Sequence, residues 1–251
     1  MRHLILIGLV LIFAPVAHAS NCDDLLTKVR QSLAQNKFNT GRDFKNYASY
    51  LGPSFSRTVL SLSDESHWID MGAGSARAMQ EAVFLNFRRP KMTAISVTKP
   101  QEYERNISAF TQLMLGRFEY RDEKMIEEYP PGSIEKADLV TDVYGPFYYS
   151  PDPSLVLHTY VDLLKPGGVA LIHYNTVLEG GKLRSLGGMT IENQNLVPLS
   201  LTEWIGDFRG VDVKVHRRYW EIRRIHQDFY IPRLQHYPDK AWIGHKFIYK
   251  K

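Results

Sequence analysis

The sequence has very little cysteine and only one long apolar run. Cys22 is the only cysteine, so the chain has neither an internal disulfide nor a cysteine-based zinc cluster. The longest apolar stretch, from Leu4 to Ala14, has eleven residues, whereas a membrane-spanning helix needs about 20. No HExxH or similar histidine spacing occurs, so we expect no bound metal. No internal repeat, low-complexity segment or linker divides the chain, and this favours one folded domain.

The short apolar run has the features of a secretory leader. A basic start at Arg2 precedes it, and the small-x-small sequence Ala17-His18-Ala19 follows it. We therefore expect residues 1–19 to be a signal peptide of bacterial type that is removed after Ala19. The remaining 232 residues would be soluble, would contain no membrane-spanning segment, and would be exported to the periplasm or secreted.

Charge is distributed unevenly along the chain, although the overall net charge is only +4. Residues 214–251 contain ten lysine and arginine residues against three acids, a net charge of +7. Residues 20–213 contain 20 basic and 24 acidic residues, a net charge of −4. A basic terminal region is often only a solvated surface. If it is functional, it indicates an anionic partner, such as RNA or a phospholipid headgroup.

The order of apolar patterns predicts an α/β fold. Short β-like runs alternate with segments of helical periodicity, as in a parallel sheet that is covered by helices on both faces. We expect short N-terminal helices within residues 20–66, then one domain over residues 67–251 that ends in an antiparallel hairpin. Residues 180–195 are rich in glycine and read as a loop. The predicted strands are 67–71, 92–97, 118–121, 137–143, 168–174, 211–216 and 241–249, the last two forming the hairpin; the predicted helices are 22–36, 42–51, 53–62, 75–89, 100–115, 153–164 and 200–208.

The most informative motif lies between the first of these strands and the helix that follows it. Residues 70–76 read DMGAGSA, a glycine turn that would let a ligand approach the backbone at a helix N-terminus. A dinucleotide fingerprint requires a small residue where Arg77 stands. The spacing D-x-G-x-G-x-A therefore fits S-adenosylmethionine better than a dinucleotide.

From this point the sequence resembles the class I S-adenosylmethionine-dependent methyltransferases. Asp70, Gly72 and Gly74 match the family's first motif, with Ala76 in place of its usual last glycine. About 90 residues later, residues 164–168 read LKPGG, which matches the turn that the family carries before its fifth strand. The resemblance implies a doubly wound, mostly parallel, seven-stranded Rossmann-like sheet with a late antiparallel hairpin.

The resemblance also implies a set of cofactor-binding residues. Asp70, Gly72, Ala73 and Gly74 would bind S-adenosylmethionine, and Asp122 or Glu123 would contact its adenine. The family's second strand normally ends in an acid that holds both ribose hydroxyls, but Ser96 stands there in this chain. A serine is not a charged bidentate acceptor, so its presence weakens the case for tight cofactor binding.

The fourth strand ends at the position that faces the methyl acceptor in this family. Asp142 would accept a proton from the acceptor, and Tyr144 would orient it, although Asp142 would equally serve to cap a turn. Aromatic residues from Tyr144 to Tyr149 would face the sulfonium cation or pack in the core. His173 and Asn175 follow the fifth strand and read as structural or pocket-lining residues.

These patterns leave three functional hypotheses, because a secretory leader sends the protein away from the compartment where S-adenosylmethionine is made. The protein is an exported methyltransferase with an unidentified acceptor, anionic if the basic region is functional. Alternatively, it is a catalytically inactive methyltransferase-fold protein that binds a ligand or partner in the periplasm. In the third, the N-terminal run is not a leader and the enzyme stays in the cytoplasm.

Overall fold

A computed structural model describes most of the chain that follows the predicted leader and the first predicted helix. The described residues are 41–86, 88–97, 109–122, 124–150, 152–174, 178–179, 182–183, 190–193, 198–199, 201–236 and 246–249. The predicted signal peptide, the helix 22–36, Glu123 and Asn175 lie outside this set.

Within the described residues, a seven-stranded sheet forms the centre of the molecule. Its strand order is β10-β11-β5-β4-β1-β2-β3, with β1 to β5 parallel and β11 antiparallel to both β5 and β10. The order reverses beside β1, which places its carboxyl end at the switch point where open α/β sheets bind ligands. The strands of this sheet are β1 His67–Met71, β2 Lys91–Ile95, β3 Phe118–Arg121, β4 Ala137–Asp142, β5 Leu164–His173, β10 Val211–Val215 and β11 Tyr219–Arg224.

Helices cover both faces of the sheet, as the doubly wound prediction requires. One apolar core lies under α1, α2 and α3, and the other lies under α5 and α6. The helices are α1 Phe44–Ser61, α2 Arg77–Asn86, α3 (residues 109–113 of the described chain), α4 Pro146–Tyr149, α5 Pro153–Leu163 and α6 Leu201–Gly206, with a 3-10 turn at Ile126–Glu128.

Helix α1 joins the two predicted helices 42–51 and 53–62 across a kink. Asp43 begins it with a capping box, in which its carboxylate accepts from the backbone N–H of Asn46 at 2.7 Å. The chain bends at Gly52, where φ is 64°, and Pro53 starts the second half. The bend brings Gly52 against the ring of Tyr219 on β11. Helix α1 therefore lies across the sheet face from β1 to β11.

The late hairpin exists, but the prediction of its second strand was wrong. Strand β10 pairs with Tyr219–Arg224 rather than with residues 241–249. The sequence of β11, YWEIRR, contains three charged residues, so its apolar alternation is difficult to recognise. Trp220 and Ile222 are nevertheless fully buried. Three residues connect the two strands, and the N–H of His216 donates to the carbonyl of Tyr219 at 2.9 Å.

The described part of the predicted 241–249 strand belongs to a second, four-stranded sheet. Its order is β12-β13-β8-β9, with β13 parallel to β8. The segment 180–195, predicted as a loop, contributes β7 and β8, so that prediction was wrong for these residues. The remaining short strands are β6 Leu178–Glu179, β7 Lys182–Leu183, β8 Thr190–Asn193, β9 Pro198–Leu199, β12 Leu234–His236 and β13 Lys246–Tyr249.

The described residues contain neither a candidate membrane-spanning helix nor a candidate metal-binding cluster. None of the helices described is long and apolar enough to cross a membrane. Across the same residues, histidine, cysteine and acidic side chains do not gather in groups of three or more that could hold a metal ion.

Candidate functional site

The candidate site lies at the carboxyl edge of the parallel strands. Asp70 and Met71 end β1, and β1 pairs in register with β2 on one side and β4 on the other. Parallel strands end at one edge of a sheet, so the turns that follow β1, β2, β3 and β4 are neighbours. The fold thus brings residues 70–74, Ser96, Asp122 and residues 142–144 to the same edge.

Asp70 is completely buried and has two hydroxyl donors. One carboxylate oxygen accepts from Tyr47 Oη at 2.7 Å, and the other accepts from Thr141 Oγ1 at 2.7 Å. Trp68 Nε1 donates in turn to Thr141 Oγ1 at 2.8 Å. Burial raises the pKa of Asp70 to about 7, against the opposing effect of the two hydroxyls and of Arg42. The Asp70 carboxylate therefore ties the end of β1 to β4 and to helix α1.

The glycine turn after β1 adopts left-handed backbone at three positions. The φ angles are 77° at Gly72, 54° at Gly74 and 52° at Ala76. The carbonyl of Ile95 on β2 holds the start of the turn by accepting from the N–H of Gly72 at 2.9 Å. Ala76 keeps the left-handed conformation although it carries a Cβ, which costs about 1–2 kcal/mol relative to a glycine.

Asp142 closes the turn after β4. Its carboxylate accepts from the N–H of Gly145 at 2.6 Å, from the N–H of Phe147 at 2.9 Å and from the hydroxyl of Tyr160 at 2.5 Å. The side chain is fully buried, and burial raises its pKa to about 6. These contacts match the turn-capping alternative for Asp142, and both of its oxygens already have donors.

The turns after β1 and β4 touch through two glycines. A Cβ on Gly72 would lie 2.5 Å from the Cα of Gly145, and a Cβ on Gly145 would lie 2.3 Å from the carbonyl oxygen of Met71. Only glycine fits at Gly145, because the contact is made with backbone that has no room to move. The two turns therefore form one rigid unit.

Tyr144 lies in an aromatic cluster at this edge. Its ring centroid is 4.5 Å from that of His173 at the end of β5 and 5.3 Å from that of Tyr50 on α1. The guanidinium of Arg42 lies 5.9 Å from the Tyr144 ring centroid and donates to the carbonyl of Gly72 at 3.1 Å. The φ of Tyr144 is 56°, a conformation that turns its side chain out of the strand direction.

Ser96 and Asp122 lie just after β2 and β3, at the carboxyl edge of the sheet. Ser96 follows β2, is buried, and donates its backbone N–H to the carbonyl of Arg121 at 2.9 Å. Asp122 follows β3 and is half-buried. Between the two strand ends and the glycine turn, the hydroxyl of Tyr120 donates to the carbonyl of Gly74 at 2.5 Å.

The hairpin formed by β10 and β11 reaches the same edge of the sheet through its turn, residues 216–218. Because β11 is antiparallel to β5, the turn between β10 and β11 lies at the carboxyl end of β5. The carbonyl of Arg218 accepts from the N–H of Tyr174 at 3.0 Å, and the side chains of Arg217 and Arg218 are exposed.

Sequence reasoning did not assign a role to several residues that build this site. Tyr47 and Arg42 precede the recognisable motif, and nothing in their local pattern signals contacts with Asp70 or Gly72. Gly145 follows Asp142 by three residues, and a glycine at that distance from a strand-end acid is a signal for a tight turn. The residues added by the structure are Arg42, Tyr47, Tyr50, Tyr120, Thr141, Gly145 and Tyr160.

Comparisons with known proteins support the fold. No protein-family model and no curated protein sequence matches the chain. Among solved structures, the 1,6-didemethyltoxoflavin-N1-methyltransferase of Burkholderia thailandensis aligns with a TM-score of 0.51 and 18% identity, over 85% of this chain and 93% of that one. The precorrin-6y C5,15-methyltransferase of Geobacter metallireducens GS-15 aligns with a TM-score of 0.40 and 16% identity, over 71% of this chain and 86% of that one.

Identity at this level is informative about the fold alone. The strand order, the antiparallel hairpin and the alignment with the Burkholderia enzyme agree with one another. The chain therefore has the fold of the class I S-adenosylmethionine-dependent methyltransferases.

Proposed function

We propose that the protein is an exported methyltransferase that uses S-adenosylmethionine and acts on a small anionic acceptor. The observation that carries the proposal is the close packing of two turns at the switch point, where the Gly72–Gly74 turn contacts the Asp142–Gly145 turn. The Burkholderia enzyme was solved with bound S-adenosylhomocysteine and 1,6-didemethyltoxoflavin, so a protein of this fold holds such a cofactor beside its acceptor.

The residues present suit S-adenosylmethionine. Gly74 is in the left-handed conformation with no Cβ, so the backbone of the turn is open to close approach by a ligand. The Ser96 hydroxyl would bind one ribose hydroxyl, and the half-buried Asp122 would accept from the adenine amine. The ring of Tyr144 lies at the same edge of the sheet, beside His173, where an aromatic face would favour a sulfonium cation.

When bound, S-adenosylmethionine supplies an electrophilic methyl group. The protein's own residues would then act mainly by positioning, because methyl transfer is a displacement in which alignment contributes much of the rate. Asp70 and Asp142 would fix the two turns through their hydrogen bonds to Tyr47, Thr141 and the backbone of Gly145. Tyr144 would orient the acceptor. We assign Asp142 to holding the turn rather than to taking a proton.

The inactive alternative has specific support from two positions. Ser96 lacks the charge that would hold both ribose hydroxyls, which would reduce the free energy of binding by about 1–3 kcal/mol. The Asp142 carboxylate already accepts hydrogen bonds at both oxygens and is 0% exposed. An inactive protein would bind its ligand at this edge without transferring a methyl group.

Calorimetry tests the proposal. The full chain is expressed with its leader, and the protein purified from whole cells is sequenced from its N-terminus and titrated with S-adenosylmethionine. We expect a first residue at Ser20 and saturable binding at micromolar to submillimolar concentrations. No heat of binding at millimolar cofactor would overturn the enzyme proposal, and an intact Met1 would overturn the export proposal.

A further inference from the structure

Among the described residues, His173 has a buried ring nitrogen without a hydrogen-bond partner. It is the last residue of β5, only 4% of its surface is exposed, and Nδ1 has no hydrogen-bond partner among the described residues. Buried polar side-chain atoms are nearly always paired with protein or ordered water. The unpaired nitrogen lies within the aromatic cluster, with ring centroids at 4.5 Å for Tyr144 and 4.8 Å for Tyr50.

Two arginines lie near the His173 end of β5: Arg218 precedes Tyr219, which pairs with His173, and Arg42 lies 5.9 Å from the neighbouring Tyr144 ring centroid. Burial, Arg218 and Arg42, in that order, lower the pKa of His173 to about 4, so the ring is neutral at physiological pH and has an accepting nitrogen. Arg42 Nε is itself buried without a described partner. Arg218 projects from the hairpin turn, whose backbone is fixed to Tyr174. A neutral acceptor near two cations suits a molecule that has both an N–H or O–H group and a negative charge.

Two other unpaired ring nitrogens in the described chain show why His173 is different. Trp220 Nε1 also lacks a partner, but its ring packs against Phe147, Tyr174 and Trp204 in the apolar core. His216 Nε2 lies 3.7 Å from the Glu221 carboxylate, an anion that would oppose a second anion there. His173 instead lies beside Tyr144, whose ring centroid is 5.9 Å from the Arg42 guanidinium.

We propose that His173, Arg42 and Arg218 form the acceptor-binding site for a small anionic molecule. The imidazole accepts a hydrogen bond from the N–H or O–H group that receives the methyl group, and the two guanidiniums bind a carboxylate or phosphate on the same molecule. The assignment of this ligand as a methyl acceptor rests on the proposed function, while the anion site itself does not.

Nuclear magnetic resonance of the histidine rings tests the site directly. The mature protein is labelled on histidine, and the His173 signal is identified by its loss in His173→Phe. The probes are 4-hydroxybenzoate, inorganic phosphate and the neutral 4-hydroxybenzamide, each titrated to millimolar concentration. We expect at least one anion to shift the His173 signal saturably. If the site recognises a carboxylate, 4-hydroxybenzamide should bind at least tenfold more weakly than 4-hydroxybenzoate.

Two variants with the same loss of charge distinguish a site from a general attraction to anions. Arg218→Gln should weaken the anion response at least fivefold, because Arg218 lies at the His173 end of β5, next to the residue that pairs with His173. Arg223→Gln should leave it unchanged, because Arg223 pairs with Val169 towards the other end of β5 and donates to the carbonyl of Gly167. Equal effects of the two variants, or no shift with either anion, would overturn the proposal.

A parallel titration with S-adenosylhomocysteine separates this inference from the proposed function. If S-adenosylhomocysteine binds and neither anion shifts the His173 signal, the proposed acceptor site is wrong and the methyltransferase proposal stands. If an anion binds with the expected dependence on Arg218 but S-adenosylhomocysteine does not, the site stands and its assignment to methyl transfer is wrong.

Discussion

The hydroxyl of Tyr47 donates a hydrogen bond of 2.7 Å to the fully buried carboxylate of Asp70. This contact joins helix α1, which precedes the recognisable sequence motif, to the first residue of that motif. The segment before β1 is consequently part of the site, and its removal would leave a buried carboxylate with one donor fewer.

Replacement of Tyr47 by phenylalanine should destabilise the protein at pH 8. The variant keeps the ring and removes the donor to a buried carboxylate, so the free energy of unfolding should fall by about 1–3 kcal/mol. Urea unfolding measures this loss in the free energy of unfolding. Tyr50→Phe in the same helix is the matched control and should change stability by less than about 0.5 kcal/mol, while equal losses in both variants would contradict the assigned role of the Tyr47 hydroxyl.

Asp70 should make stability depend on pH between about 4 and 7. Its pKa is raised from 3.8 to about 7 in the folded protein, so the folded state holds a proton that the unfolded state releases. The resulting stabilisation is complete below pH 4 and is lost as the pH rises through 7.

The Asp70→Asn variant isolates this contribution. Its free energy of unfolding, measured from pH 4 to pH 8, should decline less steeply with pH than that of the wild type. Asp142, whose pKa is about 6, remains in both proteins and contributes a similar slope to each. Parallel curves for the two proteins would show that the pKa of Asp70 is not raised.

Ala76→Gly should be nearly neutral although the side chain is 0% exposed. Relief of left-handed strain, about 1–2 kcal/mol, offsets the loss of a buried methyl and the greater freedom of glycine in the unfolded chain. Ala82→Gly in the middle of α2 has no such relief and should cost about 1–2 kcal/mol. Thermal and urea unfolding compare the two, and an Ala76→Gly loss as large as that of Ala82→Gly would contradict the strain at Ala76.

Gly145→Ala should destabilise the protein by about 3 kcal/mol or more. Its Cβ would meet the Met71 carbonyl oxygen at 2.3 Å, and both turns would have to shift. Gly206→Ala is the control, because nothing lies within 4 Å of the added Cβ and its stability should stay within about 1 kcal/mol of wild type. A well-tolerated Gly145→Ala would show that the two turns are not locked together.

Local patterns predicted much of the sheet. Strands β1 and β3 have the predicted bounds, 67–71 and 118–121, because each is a short run bounded by a change of pattern. Strand β11 was missed because three of its six residues are charged, although Trp220 and Ile222 on it are completely buried. Burial at that strand is decided by pairing with β5, which no local window contains.

The sequence alone could place only those candidate residues that directly follow a parallel strand. Residues 70–74, Ser96, Asp122 and residues 142–144 lie at one edge, because parallel strands end at the same edge of a sheet. The partners of Asp70 could not be predicted, because Tyr47 and Thr141 are brought to it by packing over 23 and 71 residues of sequence. The same reason applies to His173 and Arg42, which share the aromatic cluster only in the folded chain.

Calorimetry with S-adenosylhomocysteine on a pair of glycine variants tests the central claim most directly. Gly74→Arg adds a large side chain at the turn, whereas Gly116→Arg adds it at another left-handed position with nothing within 4 Å. Folding of each variant is checked by thermal unfolding. We predict that the wild type and Gly116→Arg bind with equal affinity and that folded Gly74→Arg loses at least a hundredfold; equal binding by all three proteins would contradict a cofactor site at this turn.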